Sequence, residues 1–118
     1  MNASYYQPDK KTIFFRSYNT DVLYIDMNAD YPYISFLEYT GTTTQKQITT
    51  FLRSNMLDSI SDGANIEKPY KVALKWARSK GYRGKRIGLT AYPWYIVVTV
   101  SGDSTYRISY DGKTLKKF

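Results

Sequence analysis

A chain of 118 residues has room for one domain, because dividing it would leave two cores of fewer than about 60 residues each. With 42% hydrophobic, 17% aromatic and 23% charged residues it has the composition of a folded protein, since disorder needs few aromatics and a larger charge excess. It contains no Cys and no His, which excludes disulfide scaffolds, thiolate zinc sites and every Ser-His or Cys-His catalytic arrangement; what remains is basic, 17 Lys and Arg against 10 Asp and Glu.

Met1 to Lys11 is polar and reads as a flexible lead-in. It shows no targeting signal, and no apolar run approaches the roughly 18 residues of a spanning helix, so the chain reads as cytoplasmic with no membrane partner. From Ile13 the side chains alternate with the period of two of a half-buried strand. Ile13 and Phe15 oppose Phe14 and Arg16; then Leu23 and Ile25 oppose Val22, Tyr24 and Asp26. Ser17 to Asp21 supplies the turn of this hairpin. Asn28, Ala29, Asp30 and Pro32 supply a second turn before a third strand, Tyr33 to Tyr39.

The spacing of Ile48, Phe51, Leu52, Met56 and Ile60 predicts a helix over Thr42 to Ile60. Two capping boxes are expected at its start, Thr42 with Gln45 and Thr44 with Gln47, and Asp62-Gly63 at its end. A second helix is expected from Pro69 to Lys80, with Tyr70, Ala73, Leu74 and Ala77 facing the core and Gly81 just past its end. Strand patterning returns at Tyr92: Trp94, Ile96, Val98 and Val100 on one face, a turn at Ser101 to Ser104, then Tyr106, Ile108 and Tyr110, and a tight hairpin at Asp111-Gly112 into Lys113 to Phe118. The order is βββ-α-α-βββ. It implies one α+β domain over residues 1–118, an antiparallel sheet built from two β-meanders with two helices packed on one face. Ile48, Phe51, Leu52, Leu74, Ile96 and Val98 are expected in a single core.

Charge is segregated along the chain. Up to Glu67 there are 5 basic and 8 acidic residues, net −3; beyond it 12 basic and 2 acidic, net +10. The stretch from Lys68 to Arg86 holds Lys68, Lys71, Lys75, Arg78, Lys80, Arg83, Lys85 and Arg86 with no acid among them. Such a block repels itself, and an anionic partner is the natural compensation. On a helix Lys68, Lys71, Lys75 and Arg78 fall within roughly 80° of one another. The loop Gly81 to Arg86 continues the stripe: its glycines permit close backbone approach, Tyr82 offers a ring for stacking, and Arg83 and Arg86 offer planar forks that match phosphate. Tyr92 and Trp94, a few residues on, are candidates for exposed rings beside those cations. Two ordinary alternatives stand next to these readings: a solvated Lys-rich helix face, and tyrosines that only pack.

Catalysis finds little support. Without His, acid–base work falls to ten scattered carboxylates that form no spaced pair; Asp26 or Glu38 would have to carry a small hydrolase or nuclease. Asp58 to Asn65 lacks the acidic ladder of a calcium loop, and the glycines at 81, 84 and 88 lack the Gly-Lys-Ser/Thr of a phosphate loop, so no metal or cofactor is implied.

The run "IFFRSY" at Ile13 to Tyr18, followed by "YTGTTTQKQITTFLR" at Tyr39 to Arg53, resembles short proteins carried by phages and mobile elements of lactic-acid and related Gram-positive bacteria. Proteins of that setting include inhibitors of bacterial defence such as anti-CRISPR proteins, which occupy a surface of a nuclease or its guide RNA without doing chemistry. The resemblance implies a non-enzymatic inhibitor in the bacterial cytoplasm, whose basic tract engages nucleic acid or a nucleoprotein such as a CRISPR effector nuclease. The net charge of +7 departs from the acidic, DNA-mimicking members of that group. The alternative is a protein–protein module or homodimeric phage accessory protein, in which the charge gives only solubility.

Overall fold

Row after row of apolar side chains crosses one face of an antiparallel sheet whose spatial order follows the chain. In the computed structural model, which describes residues 3–38, 41–54 and 65–118, the strands are β1 (Ala3–Asp9), β2 (Thr12–Ser17), β3 (Thr20–Asp26), β4 (Tyr33–Leu37), β5 (Arg86–Ala91), β6 (Ile96–Val100), β7 (Thr105–Ile108) and β8 (Thr114–Lys117). Between β4 and β5 lie α1 (Thr42–Leu52) and α2 (Glu67–Ser79), after which β5 pairs antiparallel with β4. The architecture is therefore α+β, with four strands, two helices and four strands in chain order among the described residues.

Register places Phe15, Leu23, Phe36, Ile87 and Val100 in one row across β2 to β6. Ile13, Ile25, Ile34, Leu89, Val98 and Tyr106 form the next. Both helices cover this face: Phe51 of α1 sits 4.7 Å from the Phe15 ring, and Tyr70 and Trp76 of α2 each lie 5.0 Å from Phe36 and Tyr106 respectively. The six residues expected in one core are all buried in one cluster. Burying each such side chain contributes about 1.5–3 kcal/mol, which holds the two sheet halves together through the central β4–β5 pair.

Two strands differ from the βββ-α-α-βββ expectation. Residues 3–9, expected to be flexible, form β1 against β2, where Tyr5 and Tyr6 lie opposite Phe15 and Phe14. Its mostly exposed side chains give no alternation, because an edge strand here is held by backbone pairing more than by burial. β5 begins at the end of the expected Gly81 to Arg86 loop and runs where no element was expected; Ile87, Leu89 and Ala91 do alternate, but Gly88 interrupts the pattern. The Tyr33 hydroxyl lies across Gly88, 2.6 Å from where a β-carbon would stand, so a larger residue there would have to displace the Tyr33 ring.

The expected capping boxes do not form. Gly41 occupies the N-cap of α1 with no side-chain bond, while Thr44 and Gln47 turn to the Ser17 hydroxyl at 3.2 and 3.4 Å. Burial of α1 against β2 thus outweighs the local capping preference. Met56, Ile60 and Asp62-Gly63 lie outside the described residues. α2 begins two residues before Pro69. It ends in a Schellman turn, with Tyr82 N–H donating to Ala77 C=O at 3.0 Å, Gly81 N–H to Arg78 C=O at 3.1 Å, and Gly81 at φ 79°. No helix among the described residues is long and apolar enough to cross a membrane.

Candidate nucleic-acid interface

The periodicity of α2 decides which of its residues can meet a partner. Pro69, Tyr70, Ala73, Leu74, Trp76 and Ala77 are buried, which leaves Lys68, Lys71, Lys75 and Arg78 exposed on the remaining face. Beyond the helix Lys80, Arg83 and Lys85 are exposed as well. Lys68 lies 5.5 Å over the Tyr110 ring. Lys71 pairs at 2.7 Å with Glu67, which Arg53, just past the end of α1, also holds at 2.7 Å. Hydrogen bonds from Arg53 and Lys71 pull the Glu67 carboxyl down to about 2.

Arg78 points back into the fold. Its Nε lies 3.2 Å from Glu38 Oε1, its terminal nitrogen 3.4 Å from the Glu38 carbonyl, and it also donates to the Gln45 side-chain carbonyl. Glu38 accepts at its second oxygen from Gly84 N–H at 3.0 Å, and its own N–H donates to Lys85 C=O at 2.9 Å. One buried carboxylate therefore fixes the basic loop to the end of β4 and the last turn of α2. Sequence reading set Glu38 among the scattered carboxylates; its place just after an apolar strand was the one available signal.

Four of the expected contact residues are placed elsewhere. Tyr82 is half-buried: its ring lies 5.7 Å from Trp76 and its hydroxyl 2.6 Å from that of Tyr106. That hydrogen bond and burial push the Tyr82 hydroxyl up to about 12, and the ring braces the loop against Trp76 and Tyr106. Arg86 begins β5 with its side chain on the sheet face away from the helices, donating to Ser35 Oγ at 3.2 Å and the Asp21 carbonyl at 2.9 Å. Tyr92 packs between Tyr31 and Tyr95 at 4.8 and 5.1 Å, and its carbonyl accepts from the Tyr110 hydroxyl. Trp94 is 80% exposed, but the whole of β5 separates it from Arg83 and Lys85, roughly 17 Å at a strand's rise.

The sheet face opposite the two described helices carries a second feature. Tyr6, Phe14, Tyr24 and Tyr33 form a ladder with ring separations of 4.8, 4.7 and 6.2 Å, and Arg16 lies 4.7 Å over Tyr6 while paired to Asp21 at 2.6 Å. Tyr6 and Phe14 stack within 4° of parallel, so each uses a ring face on the other. Among the described residues no three Asp or Glu are grouped to hold a metal ion.

Compared with known proteins, the chain matches no family model, no curated protein and no solved structure.

Proposed function

We propose that this protein is a non-enzymatic binding module that contacts nucleic acid, or a nucleoprotein, through the exposed face of α2 and the loop that follows it. The observation that carries this reading is the exposure of Lys68, Lys71 and Lys75 on one face of α2, followed by exposed Lys80, Arg83 and Lys85, with Glu67 the one acid on that helix. A polyanion relieves the mutual repulsion of these charges and releases counterions on binding. The loop is held by Glu38 before any partner arrives, which lowers the ordering cost of association. The resemblance to phage-borne inhibitors supplies a setting, in which the basic surface covers part of a defence nuclease and its RNA or DNA in the bacterial cytoplasm.

The test is the affinity of the wild type for a labelled oligonucleotide against that of the variant Lys71→Glu, Lys75→Glu, Lys80→Glu. Arg78 is left intact because it holds Glu38. Loss of binding by a folded variant supports the reading, and unchanged binding removes it.

The aromatic ladder of the open sheet face favours a second reading, a protein–protein module or homodimer that covers Tyr6, Phe14, Tyr24 and Tyr33. Dimerisation insensitive to salt and abolished by Tyr33→Lys would support it.

A further inference from the structure

Between α1 and α2 lies a cleft of about 290 Å³, lined by Gln45 and Thr49 from α1 and by Tyr70, Lys71, Lys75 and Arg78 from α2. Tyr70 is 1% exposed, and its hydroxyl has no hydrogen-bond partner among the described residues. Leaving a buried hydroxyl unsatisfied is costly, so such a group marks a place where something else belongs. The Arg78 charge acts against burial at this hydroxyl. Burial pushes the Tyr70 hydroxyl up to about 12, so it stays protonated at neutral pH and available to donate. Lys75 makes no ion pair among the described residues, and Lys71 shares Glu67 with Arg53. A cleft lined by Lys71, Lys75 and Arg78, with the residue that carries an orphan donor in its wall, suits an anion with several acceptor oxygens.

We propose that this cleft is a phosphate-binding site, with the Tyr70 hydroxyl donating to a phosphate oxygen and Lys71 and Lys75 neutralising its charge. The inference rests on the nucleic-acid reading only for the source of that phosphate, a group of the polynucleotide backbone. A phosphate seated there draws the strand across the ridge of α2 and gives the otherwise diffuse basic face one fixed point. Arg78 positions the site through Gln45 and Glu38 and is not itself counted as a ligand.

The experiment compares wild type and Tyr70→Phe in titrations with inorganic phosphate, followed by the NMR resonances of Gln45, Thr49 and Tyr70, and with a short oligonucleotide, followed by fluorescence anisotropy. Phosphate should shift those resonances in the wild type. Tyr70→Phe should weaken phosphate and oligonucleotide alike by at least about tenfold, the usual worth of a hydrogen bond to a charged group. Its melting temperature should hold or rise, since the change removes only an unsatisfied hydroxyl. If phosphate leaves the three resonances unmoved, or Tyr70→Phe binds both ligands as the wild type does, the site is overturned; the nucleic-acid reading then survives provided Lys75→Glu still weakens the oligonucleotide. If phosphate binds at Tyr70 while the oligonucleotide does not bind at all, the site stands and the nucleic-acid reading falls.

Discussion

Arg78, exposed on the last turn of α2, reaches Glu38, which is 3% exposed just beyond β4, and sets Nε 3.2 Å from its carboxylate. The pair joins positions forty residues apart and gives the basic loop its shape, because the second oxygen of the same carboxylate holds Gly84. Removing the cation leaves a buried charge with one backbone donor. Arg78→Ala should therefore cost about 2–3 kcal/mol, less than a fully buried pair would because the guanidinium is partly exposed. Lys75→Ala, on the same face, should stay within about 0.5 kcal/mol. Urea unfolding of the two variants checks the difference, and equal costs would mean that Glu38 does not depend on Arg78.

Glu67 supplies a pH signature. Arg53 and Lys71 depress its carboxyl from 4.5 to about 2 in the folded protein. A carboxyl depressed by folding adds stability above its unfolded value and loses it as pH falls through the folded one, so this contribution is full above pH 4.5 and disappears toward pH 2. Thermal melts of wild type and Glu67→Gln should converge across that window. The difference at neutral pH should shrink in molar salt, because the Arg53 and Lys71 heads are largely in solvent.

Sequence and structure agree where one face of one element decides the outcome. The 3.6-residue spacing of Tyr70, Ala73, Leu74 and Ala77 faces the core and turns Lys68, Lys71 and Lys75 outward, and the glycine expected past the helix stands at positive φ. Agreement fails where partners lie far along the chain. Nothing near Glu38 announces Arg78, and nothing near Tyr82 announces Tyr106. Arg86 is counted with the loop by adjacency, yet as the first residue of a strand it takes the opposite sheet face. β1 was illegible because edge pairing leaves little hydrophobic pattern, and β5 because Gly88, under the Tyr33 hydroxyl, interrupts it.

The two tryptophans separate cleanly in environment: Trp76 is 2% exposed with its indole N–H on Thr114 Oγ1 at 2.9 Å, and Trp94 is 80% exposed. Trp94→Phe should leave a blue-shifted emission that iodide barely quenches. It should also leave oligonucleotide affinity unchanged, since Trp94 lies at the far end of β5 from Arg83 and Lys85. A loss of affinity beyond about threefold, a little over half a kcal/mol, would extend the contact surface to that end of the sheet.

The most direct test of the basic face is the salt dependence of oligonucleotide binding, measured as the slope of log K against log salt for wild type and for Lys71→Glu, Lys75→Glu, Lys80→Glu. Each phosphate neutralised on duplex DNA contributes about −0.9, so engagement of four or five of the six exposed cations predicts a wild-type slope of about −4 and loss of measurable binding in the variant. A flat wild-type response, or a folded variant with the wild-type slope and affinity, would contradict the account.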